Sequence, residues 1–234
     1  MIPRVLEPEV MDSPEEAAGY DAMDHAGVNR VFVDDLLYAL TNAAARQEPR
    51  PPGSPCPPKR VLDVGTGTAL IPIELCRRDE FAGTIVAVDL AEEMLKLARL
   101  NVDRAGHSAR VRCESVDGKS LPYEPGEFDV VMSNSIVHHI PEPFEVLREM
   151  RRVVREGGVL FVRDLLRPDS EAEVERLVTL HAGEETPESQ QSFRQSLHAA
   201  LTVEEMAELA EDVGLPRGCV SQTSDRHWTL VARS

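Results

Sequence analysis

The sequence predicts an α/β protein with a doubly wound, mostly parallel sheet, and three observations support this fold class. Short β-branched runs alternate with amphipathic segments from residue 60 to about residue 165. The first run, Val61 to Val64, has no helical spacing and precedes Gly65 and Gly67, which is typical of a doubly buried strand entering a tight turn. At 234 residues and 42% hydrophobic residues, the chain is long enough for one large α/β domain.

A helical segment is predicted before the sheet, over residues 12 to 46. Asp12 or Ser13 can cap its first helix and Pro14 suits the first turn, while a second helix is predicted from about residue 28 to residue 46. Six prolines then fall within eleven residues, which is incompatible with a helix. The predicted divisions are an N-terminal helical lid (1–48), a proline-rich linker (49–58) and the main domain (59–234).

The main domain alternates strands and helices up to Pro168 and then changes character. The predicted strands are 60–64, 84–89, 110–116, 128–133 and 159–165, and two closing strands at 219–222 and 227–232. A helix is expected to begin within 69–77, and further helices are predicted over 91–104, 143–155 and 171–180. A glycine at 157 should cap the helix over 143–155, and the last helix should run from Thr202 to near Gly214. Residues 182–195 are polar and predict a loop with a short helix, and we expect 169–200 to be an insertion on the substrate side.

Charge and cysteine content exclude several classes of function. The formal net charge of −16 argues against a nucleic-acid binder and against electrostatic attachment to anionic lipid. No two of the four cysteines form a CxxC pair, so we expect neither a disulfide framework nor a metal site. The N-terminus is too acidic for a signal peptide, and no apolar run is long enough to span a membrane. We therefore expect a cytoplasmic monomer or homodimer without a nucleic-acid partner.

Acidic side chains stand at the ends of the first three strands. Asp63 lies two residues before Gly65, Asp89 ends the second strand and Asp117 follows the third. Because parallel strands end at one edge of a sheet, these carboxylates should meet there. Asp63 would repel a pyrophosphate and attract an ammonium or sulfonium group; Asp89 suits two ribose hydroxyls and Asp117 suits an adenine amino group. Read singly, each could instead be a cap or a turn residue.

These features resemble those of the class I S-adenosylmethionine-dependent methyltransferases, and especially their small-molecule branch, which includes the ubiquinone/menaquinone biosynthesis methyltransferases. The resemblance covers about residues 60–168 and rests on VLDVGTGTALIPIEL, IVAVDLAEEMLKLA, VDGKSLPYEPGEFDVVMSNSIVHHIPEP and LREMRRVVREGGVLFVRDLLRP. It departs at Ala69, where the family usually has a third glycine. It implies a Rossmann-like, seven-stranded sheet ending in an antiparallel hairpin, which agrees with the two closing strands.

The residues and the resemblance together suggest three groups of site residues. The cofactor-binding candidates, for S-adenosylmethionine, are Tyr20, Asp63, Gly65, Thr66, Gly67, Asp89, Leu90, Met94, Val116, Asp117, Gly118, Asn134 and His139. The catalytic candidates are His25, His138 and Asp164. The candidates for substrate binding are His25, His138, Asp164, Arg167, Arg194 and His198, with Arg226 and His227 as further polar groups near the C-terminus. For Tyr20 a core position is the alternative to a lid, and for the C-terminal groups a solvated surface is the alternative to substrate binding. For His138 and His139 a structural or cofactor-adjacent role is the alternative to catalysis.

The function predicted on this basis is methyl transfer to a small molecule, with the acceptor atom (oxygen, carbon, nitrogen or sulfur) left open. A general base is needed only if the acceptor must lose a proton. The Asn-Pro-Pro-Tyr signature of amino-nitrogen methylation is absent, and Ser133-Asn134-Ser135-Ile136 stands in its place. Two alternatives are a non-catalytic S-adenosylmethionine-binding regulatory or partner protein and an NAD-dependent oxidoreductase. The second is disfavoured by Leu70, where the dinucleotide fingerprint requires glycine.

Overall fold

The computed structural model describes residues 2–7, 12–44 and 59–234, and a seven-stranded sheet runs through its centre. The strands are β1 (Lys59–Val64), β2 (Gly83–Asp89), β3 (Val111–Ser115), β4 (Phe128–Asn134), β5 (Val154–Leu165), β6 (Val220–Gln222) and β7 (His227–Arg233). Their order is β3-β2-β1-β4-β5-β7-β6. The first five pair in parallel, whereas β7 pairs antiparallel with β5 and β6. This confirms the doubly wound sheet and its antiparallel end.

Helices cover both faces of the sheet. They are α1 (Pro14–Ala22), α2 (Ala26–Ala44), α3 (Leu70–Cys76), α4 (Glu92–Arg104), α5 (Phe144–Val153), α6 (Glu171–Ala182), α7 (Pro187–Ala199) and α8 (Val203–Asp212). Val61 and Leu62, neighbours on β1, are fully buried in two different hydrophobic clusters, one under α2, α3 and α4 and the other under α5 and α8. The apolar run that begins β1 is therefore buried on both sides, as its lack of periodicity predicts.

The N-terminal segment divides into two parts with different surroundings. Helix α2 packs into the core, where Phe32 and Leu36 are fully buried and the Phe32 ring meets Phe161 edge-on at 5.0 Å. Arg163 on β5 also pairs with Asp35 of α2 at 2.6 Å. Helix α1 packs instead against α4, at the edge of the sheet where the parallel strands end. The predicted 1–48 lid thus contains one helix that is a layer of the domain, while the predicted linker, 49–58, lies outside the described residues.

Helix α5 ends earlier than the sequence predicts. The expected glycine cap at residue 157 is wrong: α5 stops at Val153 and β5 begins at Val154. Gly157 has a φ of +69° and its N–H donates to the carbonyl of Ser234 at 2.7 Å, so it belongs to a bulge where β5 slips register against β4. The glycine pair serves strand pairing there and does not end a helix.

The expected loop with a short helix over 182–195 is right in part: a helix is present, but α7 is longer than expected and covers most of the stretch. Thr186 caps α7 by accepting from the N–H of Ser189, and the apolar residues that hold the helix, Leu197 and Ala199, lie beyond the polar stretch. The expected capping box of α8 is confirmed, with Thr202 and Glu205 bonded reciprocally.

Residues 2–7 form a segment that the sequence does not predict. Ile2 joins a small cluster with α6 and α7, and the N–H of Val5 donates to the carbonyl of His198 at 3.0 Å. Arg4 donates to the carbonyls of Ala199 at 2.7 Å and Ile140 at 3.0 Å. The segment is thereby fixed across α7 and the turn after β4. Among the described residues, no helix combines the length and the apolar character needed to cross a bilayer.

Candidate functional site

A cleft opens at the carboxyl ends of β1, β2 and β4, with a volume of about 880 Å³ including its mouth. A recess of about 320 Å³ adjoins it and shares Tyr20, Gly65 and Asn134 with it. The predicted cofactor-binding residues that line the cleft are Tyr20, Gly65, Gly67, Asp89, Leu90, Met94, Val116, Asp117, Gly118, Asn134 and His139. The other two, Asp63 and Thr66, line the recess. Residues spread over 120 positions of sequence are thus brought to one edge of the sheet.

The glycine turn after β1 has backbone conformations that favour glycine. Gly65 and Gly67 have φ values of +76° and +54°, and a Cβ at Gly65 would lie 2.1 Å from Ile136 Cγ2. Ala69 also has a positive φ, +62°, a conformation that costs a residue with a Cβ roughly 1–2 kcal/mol. Glycine avoids this cost, which explains why the methyltransferases that the sequence resembles usually have glycine at the position of Ala69.

Asp89 joins the glycine turn to the start of α4. Its Oδ2 accepts from the N–H of Gly67 at 2.7 Å and its Oδ1 accepts from the N–H of Ala91 at 2.9 Å. Burial raises the pKa of the Asp89 carboxyl, and the backbone hydrogen bonds partly offset this. The carboxylate therefore stands at the cleft wall in a fixed orientation.

Asp63 is the second carboxyl of this edge and is more deeply buried than Asp89. It is 2% exposed and lies on the wall of the recess with Thr66 and Asn29. Burial raises the pKa of Asp63 to about 7, and the charge of the neighbouring Asp89 acts in the same direction. A cationic group entering the recess would favour the ionised form.

The turn after β3 forms the other end of the cleft. The side chain of Asp117 is 42% exposed, and its Oδ1 accepts from the N–H of Lys119 at 2.9 Å. A Cβ at Gly118 would lie 3.0 Å from Val64 and 3.1 Å from Val146, so the backbone here packs closely on the apolar floor of the cleft. This end of the cleft thus combines a carboxylate, bare backbone and an apolar surface.

Tyr20 of α1 overhangs the glycine turn. Its Cε1 is 3.6 Å from the position that a Cβ of Gly67 would take, and burial, with nearby carboxylates, raises the pKa of its hydroxyl to about 12. His25 donates from Nε2 to the carbonyl of Tyr20 at 2.9 Å, and the two rings lie 4.4 Å apart. His25 therefore supports Tyr20 from behind and is not among the residues that line the cleft or the recess.

His138 and Asp164 form a buried pair behind the cleft wall. Asp164 Oδ1 lies 2.5 Å from His138 Nδ1, and Oδ2 accepts from the N–H of Val137 at 2.6 Å. Burial alone would lower the pKa of His138, but the carboxylates of Asp164 and Glu7 outweigh it and raise that pKa. The turn carrying these residues presents His139, not His138, to the cleft. Neither His138 nor Asp164 is placed where it would touch a ligand in the cleft.

The remaining candidates for substrate binding lie away from both cavities. Arg194 pairs with Glu175 at 2.7 Å on the outside of α6 and α7, and His198 lies 3.4 Å from Glu171. Arg167 is buried and pairs with Glu205 of α8. These charges are held by neighbouring carboxylates and so organise the C-terminal helices.

Sequence reasoning missed several residues in or near the cavities, among them Asn29, Glu7 and Arg4. Asn29 lines the recess, and its only sequence signal is a polar residue three positions before Phe32 on the inner side of α2. Glu7 and Arg4 belong to the segment 2–7 and contact the turn that carries His138 and Ile140. The sequence of this segment contains no periodicity or motif that would predict its position.

Comparison with known proteins gives consistent results. Residues 62–162 match a family model described as a methyltransferase domain. A ubiquinone biosynthesis O-methyltransferase of Xanthomonas euvesicatoria is 34% identical over 108 residues, 46% of this chain and 44% of the relative. A ubiquinone/menaquinone biosynthesis C-methyltransferase of Geobacter sp. is 30% identical over 109 residues, 47% of this chain and 46% of the relative. The match thus covers less than half the length of each relative.

The fold has solved counterparts over nearly the whole chain. A methyltransferase from Aquifex aeolicus, described as S-adenosylmethionine-dependent, superposes with a TM-score of 0.63 at 19% identity, covering 95% of this chain and 98% of that one. At this identity the likeness concerns the fold.

Proposed function

Since residues 62–162 of this chain are a domain of the class I S-adenosylmethionine-dependent methyltransferases, we propose that the chain transfers the methyl group of S-adenosylmethionine to a small-molecule acceptor. The observation that carries the proposal is Asp89. Its half-buried carboxylate stands at the end of β2 and accepts a hydrogen bond from the N–H of Gly67 in the glycine turn. An acceptor-only group at this point suits the two vicinal hydroxyls of a ribose.

The other groups around the cleft fit the remaining parts of the cofactor. Asp117 and the backbone of Val116 and Gly118 stand at the end where an adenine would be recognised, beside the apolar side chains of Met94 and Val146. Asp63 in the recess suits the ammonium group of the methionyl part, since a buried carboxylate favours a cationic partner. Dinucleotide binding fits less well, because a pyrophosphate beside Asp63 and Asp89 would be repelled.

The chain's own contribution to the reaction is positioning and exclusion of water. When bound, S-adenosylmethionine supplies an activated methyl on a sulfonium. Transfer is an in-line displacement in which the bond from carbon to sulfur breaks as the bond to the acceptor forms. Tyr20 closes the cleft above Gly67, and Ile136, Ile140 and Met94 provide apolar walls. The fixed carboxylates hold the donor while these walls reduce access of competing water.

A small acceptor suits the walls of the cleft. Most of the lining residues are apolar and a few polar groups stand among them, as is usual for pockets that bind small ligands. The curated relatives described above are named for ubiquinone and menaquinone biosynthesis, which supports a small organic acceptor without identifying it.

The test combines binding and turnover. Calorimetry should detect binding of S-adenosylmethionine and S-adenosylhomocysteine but not NAD, and methyl-labelled cofactor should transfer label to a component of a metabolite extract. Binding without any transfer would favour the alternative of a non-catalytic cofactor-binding protein. Binding of NAD with no response to either adenosyl compound would contradict the proposal altogether.

A further inference from the structure

Two histidines and a glutamate meet beside the cleft in a way that the methyl-transfer proposal does not use. Glu7 Oε1 lies 3.3 Å from His138 Nε2 and 3.1 Å from His139 Nδ1, and one ligand atom from each of the three residues lies within 4.8 Å of the others. From these contacts we propose that Glu7, His138 and His139 bind a divalent transition-metal ion of the zinc type.

The spacing of the three groups agrees with coordination. Zinc binds histidine nitrogen and carboxylate oxygen at about 2.0–2.2 Å, so two ligand atoms of a tetrahedral site lie about 3.4 Å apart. The contacts of Glu7 Oε1 with the two ring nitrogens, at 3.3 and 3.1 Å, are close to this edge length. Two imidazoles and one carboxylate are also a donor set that suits zinc and other first-row transition metals better than magnesium or calcium.

The hydrogen bonding around the cluster orients the donor atoms. Asp164 holds His138 through Nδ1, which leaves Nε2 directed toward Glu7. A carboxylate that fixes a histidine in this manner is the usual outer partner of a metal-bound imidazole. Ser196 donates to Glu7 Oε2 at 3.3 Å, whereas Glu7 Oε1 is buried and accepts no hydrogen bond from the residues that the structure describes. This buried oxygen lies close to two ring nitrogens, but at angles that do not suit a hydrogen bond. Such an arrangement indicates a cation shared by the three atoms.

The cluster is also held in place and supplied with negative charge. Arg4 bonds to the carbonyls of His138 at 3.3 Å and Ile140 at 3.0 Å, and thereby fixes the segment that carries Glu7 against the turn of the histidines. The side chain of Glu7 is 9% exposed and that of Asp164 is 1% exposed. Glu7 and Asp164 thus place two negative charges beside the two imidazoles, while the Arg4 guanidinium, bonded to backbone carbonyls, adds one positive charge nearby.

The position of the site connects it with the cleft. His139 lines the cleft, and a metal held by three protein groups keeps a fourth position for water or another ligand. An acceptor with an anionic or ionisable oxygen would suit that position. This last step rests on the proposed methyl transfer, whereas metal binding itself does not and is measured without cofactor or acceptor.

The test uses the full chain, freed of metal and titrated with Co²⁺, whose visible absorption in tetrahedral nitrogen and oxygen sites is strong. We expect the spectrum to saturate at about one equivalent per chain, with Zn²⁺ displacing Co²⁺ and Mg²⁺ having no effect. Glu7→Gln and His139→Ala should each weaken binding by more than about 10-fold. Glu7→Gln preserves side-chain volume, and circular dichroism of both variants checks that they fold.

His181→Ala is the matched control, because His181 also faces a carboxylate, Asp225 at 2.9 Å, but without a second histidine. It should keep the wild-type spectrum and affinity. The proposal is overturned if the wild-type chain shows no saturable visible spectrum, or if folded Glu7→Gln and His139→Ala both retain it. In either case the three residues are an ion-paired cluster only.

Discussion

Replacement of Asp63 by asparagine should make the ligand-free protein more stable while weakening cofactor binding. Asp63 is buried with a pKa of about 7, against an ordinary value of 3.8. Because the folded-state pKa is raised, the stabilising contribution of the protonated form is complete below about pH 4 and is lost as the pH rises to about 7. That interval corresponds to about 4 kcal/mol as an upper limit.

Asp63→Asn cannot ionise and should escape this loss. Urea unfolding followed by circular dichroism should show a wild-type stability that falls between about pH 4 and pH 7 relative to the variant. The exposed Asp79→Asn serves as the control and should leave the pH dependence as in the wild type. The two proteins should differ most at pH 8, by a few kcal/mol and no more than the limit above.

Cofactor affinity should change in the opposite direction. If the ionised Asp63 holds the ammonium group of S-adenosylhomocysteine, wild-type affinity should increase from pH 5.5 to pH 7.5 as the carboxyl loses its proton. Asp63→Asn should bind about 10- to 100-fold more weakly at pH 7.5, the effect expected of a hydrogen bond to a charged group, with little pH dependence. A variant that is neither more stable at pH 8 nor weaker in binding would refute the reasoning on both counts.

Four further predictions concern the cleft and the segment before it. Asp89→Ala should weaken S-adenosylhomocysteine binding by about 1.5–3 kcal/mol in calorimetry and lower the thermal midpoint, because two backbone N–H groups lose their acceptor, whereas Asp79→Asn should do neither. Asp117→Asn should discriminate less between adenosyl and inosyl forms of the ligand; unchanged discrimination would place Asp117 outside the recognition of the base. Cofactor should slow hydrogen exchange in residues 12–30 more than in α4, since α1 covers the cleft. A chain starting at Lys59 should fail to unfold cooperatively, because it lacks α2 and exposes one face of the sheet.

The sequence was informative wherever local pattern and topology act together. Val61 to Val64 predicts a doubly buried strand, and Asp89 and Asp117 follow the next two strands, so the rule that parallel strands end at one edge is enough to bring them together. The prediction that these side chains share an edge follows from the chain alone, because it depends on strand order and not on side-chain packing. Their contact with a cofactor stays a prediction.

The errors arise where long-range packing decides the structure. Residues 182–195 are polar and predict only a short helix, and α7 extends further because Leu197 and Ala199 beyond the stretch are buried and Phe193 within it packs on the same cluster. The proline-rich stretch suggested that everything before it is a separable lid, yet Phe32 completes the core against Phe161. Nothing in the sequence around Glu7 indicates a contact more than 130 residues away.

The placement of Asp63 and Asp89 also bears on how the cleft would release its product. Asp63 is buried and Asp89 is half-buried, and burial raises the pKa of both, so each charge is costly in the free protein and a cation at this edge would relieve that cost. S-adenosylmethionine has two cationic groups, the ammonium and the sulfonium, while its demethylated product retains only the ammonium. In the proposed reaction, transfer of the methyl would remove a positive charge from beside these two carboxyls. The same burial that makes their charges costly would favour the charged donor over its neutral-sulfur product, and would thereby favour release of the product.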